Sequence, residues 1–211
     1  MHPQVDSPAD MPYPAGVRRK LATLVLRLFG WQMEGNPPEP DKYVLIAAPH
    51  TSNWDFIFLL ACAEYFGVRV SWLGKREMFP KPFKRLLVRL GGIPVERKRA
   101  GNMVAELAEL FASRNELCLV VPVEGTRGYV DYWKSGFYHV ARAANVPIVM
   151  SYLDYPRKKG GFGPAFEPTG DVRADMDRIR EFYTGKEGKT PRFTGRIRLR
   201  EEDQELDATG T

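Results

Sequence analysis

The sequence predicts an α/β fold, a single domain in which helices flank a mostly parallel or mixed sheet. Three observations support this prediction. The chain has 211 residues, which is the length of one domain. Its composition, 44% hydrophobic and 27% charged, is sufficient for a buried core without disulfides or a structural metal. Short β-rich runs alternate with helical patterns between residues 43 and 183, which is typical of a parallel sheet covered on both faces.

The N-terminal part consists of two segments with different patterns. Residues 1–16 contain four prolines and lack the apolar h-region of a signal peptide, so we interpret them as a flexible leader. Residues 17–33 are predicted to form a basic amphipathic helix, because apolar residues recur at helical spacing at Val17, Leu21, Leu24, Val25 and Leu28. Such a helix either lies in a bilayer interface, with Trp31 as an anchor, or packs on the core with a solvated back. The pattern leaves both interpretations open.

Residues 34–200 are predicted to form the domain itself. The runs 43–48 and 117–123 are short and apolar, as in buried strands, and 54–66 is long and apolar enough for a buried helix. The predicted strands are 43–48, 68–73, 92–95, 117–123, 146–153 and 196–200. The predicted helices are 54–66, 83–90, 102–113, 136–144 and 173–183. The connecting stretch 156–168 is rich in Gly and Pro and is predicted to be a loop.

Composition excludes several classes of protein. The two cysteines, Cys62 and Cys118, lie in apolar runs and show neither a disulfide framework nor zinc-ligand spacing. Three histidines are too few for a histidine-rich metal site. No apolar run approaches the ~18 residues that a spanning helix needs. We therefore expect no metal site and no membrane-spanning segment.

The charge of the chain is concentrated in one window. The formal net charge is +5, whereas residues 69–99 alone hold ten bases and two acids, a net charge of +8. The tail 201–211 has five acids and no base and is predicted to be frayed. Aromatic and apolar residues interleave with the bases of the window, so this surface suits anionic lipid, phosphate or an acidic carrier protein.

The first motif that suggests chemistry is His50-Thr51-Ser52-Asn53-Trp54-Asp55, which joins a predicted strand to a predicted helix. Loops at the carboxyl edge of such a sheet carry catalytic groups. Five residues of an ideal helix turn about 500°, so His50 and Asp55 meet only if His50 precedes the helix. A carboxylate fixes the imidazole tautomer and stabilises imidazolium during proton abstraction. Taken alone, the spacing also suits a structural or capping role.

A second motif, Val123-Glu124-Gly125-Thr126-Arg127, directly follows the clearest strand. Its backbone N–H groups and the Thr126 hydroxyl can donate to an oxyanion, and Arg127 can bind a phosphate bidentately. Glu124 cannot bind phosphate, but it can accept from a hydroxyl or orient an arginine. A third motif, Gly92-Ile93-Pro94-Val95-Glu96-Arg97-Lys98-Arg99, ends a strand in a basic triplet. A polar turn and a solvated loop are the structural alternatives for these two motifs.

The order of these motifs resembles the four sequence blocks of the glycerolipid acyltransferase family, of the lysophosphatidic acid acyltransferase type. In this chain the blocks are His-x4-Asp, Gly-x4-Arg, Glu-Gly-Thr-Arg and Val146-Pro147-Ile148. The connecting stretches 74–79 and 133–137 are also similar to family sequences, and the resemblance covers residues 43–155. The departures are Gly128 in place of Ser, Trp133 in place of Phe, and Pro122-Val123 in place of Phe-Pro. They bear on the acceptor more than on the reaction.

The resemblance implies transfer of a fatty acyl group from an acyl-carrier-protein or CoA thioester to a hydroxyl of a lysophospholipid such as 1-acylglycerol-3-phosphate. His50 is then the general base and Asp55 orients it, with no acyl-enzyme, cofactor or metal. An acyl chain also needs an apolar channel, for which the helix 54–66 and the apolar residues of the basic window are candidates, although we interpret most of these residues as core. The residues expected to bind the acceptor's head group are Arg97, Gly125, Thr126 and Arg127, with Lys75 and Lys134 as secondary candidates for phosphate contacts. Glu124 is expected to order that site.

Two alternatives stay open. One is a different acceptor, such as a lyso-ornithine lipid or a glycolipid; the other is a non-catalytic basic module that binds membranes. No nucleic-acid-binding motif is visible, so we expect no nucleic-acid partner. Lipid substrates without a spanning helix imply a cytoplasmic protein that associates peripherally with the anionic inner face of the membrane.

Overall fold

The computed structural model of the protein describes residues 15–95 and 103–203. Its helices are α1 (Ala15–Leu28), α2 (Trp54–Phe66), α3 (Lys84–Arg89), α4 (Met103–Ala112), α5 (Gly136–Ala144) and α6 (Val172–Tyr183). Its strands are β1 (Gln32–Glu34), β2 (Lys42–Ala47), β3 (Val70–Lys75), β4 (Gly92–Val95), β5 (Leu117–Pro122), β6 (Ile148–Asp154) and β7 (Lys159–Phe166). Short 3-10 helices lie at Arg76–Met78 and Pro191–Phe193.

Within the described residues, the seven strands form one sheet in the order β1-β7-β6-β2-β5-β3-β4. The five strands from β6 to β4 run parallel to one another, β7 is antiparallel to β6, and β1 is parallel to β7. The predicted α/β domain with a mixed sheet is confirmed. Because the parallel strands end at one edge, the loops that follow β2 and β5 lie side by side there.

Both faces of the sheet are covered. On β2, Val44 and Ile46 pack with side chains of α4, α5 and α6, whereas Tyr43 and Leu45 pack beneath α2. Successive strand residues point to opposite faces, so a doubly covered strand needs an apolar run without polar alternation. Helix α2 is itself covered on its outer side by α1, through Ala22 and Leu26.

The N-terminal helix is shorter than predicted. It begins at Ala15 and ends at Leu28, because Gly30 takes φ +75° and the chain then enters β1. Trp31, predicted as an interfacial anchor, is only 4% exposed and packs against Phe58 and Tyr155. That prediction is wrong, because the pairing of β1 with β7 places the indole in the core. None of the helices within 15–95 and 103–203 is long and apolar enough to span a bilayer.

Two predictions about the C-terminal part are also wrong. The stretch 156–168, predicted to be a loop, contains β7, whose glycines let neighbouring backbone approach. A Cβ on Gly161 would lie 2.2 Å from the carbonyl oxygen of Glu34 in β1. The predicted strand 196–200 is not a strand. Its backbone bonds instead to the loop at 130–133 outside the sheet, and Leu199 inserts fully into the core.

The acidic tail predicted over 201–211 is described only as far as residue 203. Residues 201–203 are helical, and Glu202 is buried. Its carboxylate accepts from the Leu199 N–H at 2.7 Å and pairs with Arg180 at 2.7 Å. The prediction of fraying is therefore wrong for these three residues, because these contacts anchor the turn.

Candidate active site

His50 and Asp55 lie together at the carboxyl edge of the sheet. His50 sits in the turn between β2 and α2, and Asp55 is in the first turn of α2. The distance from His50 Nδ1 to Asp55 Oδ2 is 3.2 Å. An ionised carboxylate only accepts hydrogen bonds, so Nδ1 is assigned as the donor in this contact. Nε2 makes no hydrogen bond to any of the residues that the structure describes.

The carboxylate of Asp55 is the centre of a hydrogen-bond network in the catalytic loop, which we define as residues 50–55. Oδ2 also accepts from the N–H groups of Thr51 and Ser52, each at 2.8 Å. These two N–H groups precede α2, whose own first N–H, that of Trp54, donates to the Ser52 hydroxyl at 3.2 Å. Oδ1 accepts from the Tyr155 hydroxyl at 2.5 Å, a contact that the sequence did not predict. The Asp55 carboxylate is the buried centre of this network, since the residue is only 6% exposed.

Glu124 contacts the catalytic loop from the end of β5. Its Oε1 accepts from the backbone N–H of His50 at 3.0 Å, rather than binding a hydroxyl or an arginine. Its Oε2 is buried and has no hydrogen-bond partner among the described residues. Burial raises the pKa of this carboxyl, and the hydrogen bond from His50 opposes the rise. Glu124 therefore joins the loops after β2 and β5 at an electrostatic cost.

We expect Glu124→Gln to change how stability depends on pH. A carboxyl whose pKa is raised by folding stabilises the fold fully below its unfolded pKa, about 4.3, and loses that contribution as pH rises through its folded pKa. The amide does not titrate, so the free energy of unfolding of the variant should rise relative to that of the native protein as pH increases from about 4 to about 8. Urea denaturation at several pH values measures this. Glu116→Gln, at an exposed carboxylate, is the matched control. Parallel pH curves for native protein and E124Q would contradict the expectation.

The loop after β5 places the proposed acceptor-binding residues next to His50. Gly125 has φ +68°, and the Lys134 side chain passes over it, 3.2 Å from where a Cβ would stand. The Lys134 N–H donates to the carbonyl of Val123 at 2.8 Å, which holds this lysine beside the loop. Arg127 is exposed and donates to the side chain of Asn53 in the catalytic loop. Thr126 is exposed in the same loop.

One predicted site residue, Lys75, is not brought into this group. Lys75 ends β3, two strands away from β2, and its side chain is exposed at the same edge of the sheet. It does not line the cavity described below. Arg97 lies outside the described residues. Of the predicted site, the structure therefore brings together His50, Asp55 and the loop 124–127, with Lys134 beside it.

An apolar cavity of about 490 Å³ opens at His50 and runs between α2 and the sheet. Its polar end is lined by His50, Asn53 and Arg127. The remaining walls are mostly apolar and include Phe56, Leu59, Cys62, Trp72, Met78, Leu87, Val120 and Leu153. The cavity is thus suited to an elongated apolar group whose reactive end lies at the imidazole.

The cysteines and other candidate ligands do not suggest further chemistry. Burial raises the pKa of the Cys62 thiol to about 12, and that of Cys118 to about 12. Neither thiol is therefore a thiolate at neutral pH, which is the form that acts as a nucleophile. In residues 15–95 and 103–203 there is no cluster of three or more His, Cys, Asp or Glu side chains that could hold a metal ion.

Comparison with known proteins places this geometry in context. A family model described as Acyltransferase matches residues 32–153. A similar solved structure is that of the 1-acyl-sn-glycerophosphate (LPA) acyltransferase PlsC from Thermotoga maritima, at 17% identity and a TM-score of 0.54. The match covers 80% of this chain and 75% of that one, and at this identity it shows a shared fold. No curated protein sequence matches the chain.

Proposed function

Because the chain belongs to the Acyltransferase family, we propose that it moves a fatty acyl group from a thioester to a hydroxyl of a lysophospholipid such as 1-acylglycerol-3-phosphate. The donor would be acyl-carrier protein or CoA. One observation carries the proposal: the paired His50 and Asp55 stand where an apolar cavity opens beside Arg127. The named substrate of the Thermotoga maritima protein supports this choice of acceptor.

In the proposed reaction His50 is the general base. Its Nε2 takes the proton from the acceptor hydroxyl while the hydroxyl oxygen forms a bond to the thioester carbonyl carbon. The C–S bond then breaks, and the imidazolium gives its proton to the leaving thiolate. The ester and the free thiol are the products, so no acyl-enzyme, metal or cofactor takes part. Asp55 stabilises the imidazolium while it exists.

The loop after β5 is the proposed site for the acceptor's head group. Arg127 and Lys134 are exposed cations beside the catalytic loop and suit a phosphate monoester. Thr126 supplies a hydroxyl donor, and Glu124 orders the loop through the N–H of His50. Gly125 donates its own N–H to the carbonyl of Pro122 at 3.0 Å, so its contribution is the space left by the missing side chain. Lys75 remains a candidate for a phosphate contact farther along the same edge. Arg97 remains a candidate through the family resemblance alone.

The apolar cavity is the proposed channel for a fatty acyl chain. It continues from His50 under α2, so a thioester carbonyl at the imidazole would have its alkyl chain along Leu59 and Cys62. Met78 and Leu87 from the basic window also line it. Burial of methylenes against these walls supplies binding energy of ~0.8 kcal/mol per CH₂.

We further propose that one exposed face of α1 docks on the anionic inner face of the membrane. Val17, Leu21, Leu24 and Leu28 lie along this face at helical spacing and are each more than half exposed. Exposed apolar rows of this kind mark interaction surfaces. The face continues through Phe29 to Trp54, at the start of the helix that bears Asp55. The exposed bases Lys20 and Arg27 suit anionic headgroups.

We expect the combined variant Leu21→Glu, Leu24→Glu, Leu28→Glu to lower partitioning into anionic liposomes by more than about tenfold, because it removes apolar contact and adds negative charge. Liposome co-sedimentation measures the effect. The matched control is the double variant Ala174→Glu, Arg178→Glu, which makes the same change in net charge at exposed positions. These positions lie on α6, on the opposite face of the sheet from α1. Equal binding by both variants would contradict docking through α1. These side chains are exposed, so both proteins should fold.

The function itself is tested with purified native protein, acyl-carrier-protein and CoA thioesters, and a panel of lysolipids. We expect release of free thiol that depends on the presence of a lysophospholipid. If thiol is released only with a lyso-ornithine lipid or a glycolipid, the proposed acceptor would be wrong and the proposed acyl transfer would stand. The absence of acceptor-dependent release for all pairs, together with retained liposome binding, would overturn the enzyme proposal in favour of a membrane-binding module.

A further inference from the structure

We propose that Tyr155 is a positioning residue that holds His50 in its reactive orientation through Asp55. This inference rests on the proposed function, in which His50 is the base. It is carried by one contact, the hydrogen bond from the Tyr155 hydroxyl to Asp55 Oδ1 at 2.5 Å. The other carboxylate oxygen, Oδ2, faces His50 Nδ1 at 3.2 Å. The carboxylate therefore links the phenol to the imidazole.

The hydroxyl of Tyr155 fixes the rotation of the Asp55 carboxylate. Oδ2 already accepts from two backbone N–H groups of the catalytic loop, at Thr51 and Ser52. Among the described residues, Oδ1 has only the tyrosine as a partner. Without it, Oδ1 would be a buried acceptor without a donor, and the terminal torsion of an aspartate has a broad energy minimum. Rotation about that torsion would move Oδ2 away from Nδ1 and release the imidazole.

Tyr155 is itself held in place and remains a donor. Its ring meets Trp31 edge-on at 5.0 Å between centroids, and Phe58 at 6.3 Å. Its backbone N–H donates to the carbonyl of Glu187 at 3.0 Å. Burial, followed by the hydrogen bond to Asp55, raises the pKa of the phenol far above neutral pH. The hydroxyl therefore keeps its proton throughout the working range of a histidine base.

Tyr155, which supports Asp55, lies outside the segment that the family model matches, because that segment ends at residue 153. A second contact from beyond that segment reaches the same loop, since the Thr190 N–H donates to Thr51 Oγ1 at 3.1 Å. Tyr155 does not line the cavity. Its role is thus separable from substrate binding, and its loss should lower kcat without changing KM.

The test compares Tyr155→Phe with Tyr138→Phe in the full chain. Tyr138 provides the matched control, because its hydroxyl donates to the buried Asp175 at 2.8 Å, remote from the catalytic loop. We expect Y155F to lower kcat about tenfold, with both KM values within about twofold of native. Y138F should keep the native kcat while losing comparable thermal stability. Unchanged kcat in Y155F, or equal losses in both variants, would overturn the proposal.

A second measurement does not depend on activity. The chain has three histidines, so the ring nitrogens of His50 can be resolved by 15N NMR with His139 as a reference. We expect His50 to carry its proton on Nδ1 in the native protein and to show mixed tautomers in Y155F. If the native protein transfers no acyl group, the proposed function fails, and this spectrum still decides the positioning role. An unchanged His50 spectrum in Y155F would overturn it.

Discussion

Replacing His50 with alanine is expected to reduce acceptor-dependent thiol release by about 10³-fold, the scale that a positioned general base contributes. The loss should appear in kcat, because in the proposed reaction Nε2 acts on the hydroxyl in the transition state, and the walls of the proposed acyl channel are kept. Steady-state kinetics with a saturating thioester measures it. The imidazole is 24% exposed, so its removal should leave the fold intact.

The control for this prediction is His139→Ala. His139 also faces a carboxylate, with its Nε2 3.4 Å from Glu201, but it lies on α5 and not in the catalytic loop. It should retain native activity. Unchanged thiol release by H50A would remove His50 from the reaction, and equal loss in both variants would indicate a general effect of removing an imidazole.

Leu59→Trp is expected to reduce kcat/KM for long-chain thioesters about 100-fold while sparing short-chain ones. Leu59 lines the cavity. We expect an indole there to exclude the distal methylenes of a long chain, taken as roughly three or four. At ~0.8 kcal/mol per methylene this removes about 3 kcal/mol of binding, equivalent to about two orders of magnitude. A series of acyl-chain lengths at constant acceptor measures the effect.

Leu60→Trp is the matched control for this prediction. Leu60 is the next residue of α2 and is also half-buried, but it does not line the cavity. Any cost of a larger residue in α2 should appear in both variants and at all chain lengths. A uniform loss in L59W, independent of chain length, would exclude the cavity as the acyl channel.

The sequence alone predicted an element correctly where the pattern within one segment determines that element's structure. The bounds of α2 agree with the prediction at 54–66, because an apolar run between Asn53 and Gly67 suits one buried helix. The failures involve pairing between distant segments. Trp31 is buried because β1 joins β7, and β7 itself has the glycine content of a loop. Neither fact can be derived from local periodicity.

In the candidate site, too, local motifs were predicted from the sequence and contacts between distant segments were not. The spacing of His50 and Asp55, with the motif after β5, identified the residues that line one sheet edge. Tyr155 and its bond to Asp55 were missed, since the two residues are 100 positions apart and no motif contains the tyrosine. Residues that contact a short motif from a distant part of the chain can be identified only once the fold is known. Arg97, which the family resemblance also implies, lies outside the described residues.

Helix α2 has a consequence for how the specificity of this protein can change over time. Its first turn carries Asp55, and Leu59 and Cys62 on the following turns line the cavity. One added or deleted residue between them would rotate everything beyond it by about 100°. Such a change would displace the residues of α2 that line the cavity and, at the same time, those that pack against the sheet. If the cavity is the proposed acyl channel, its preference for acyl-chain length can therefore evolve through side-chain substitutions on α2 but not through insertions within that helix.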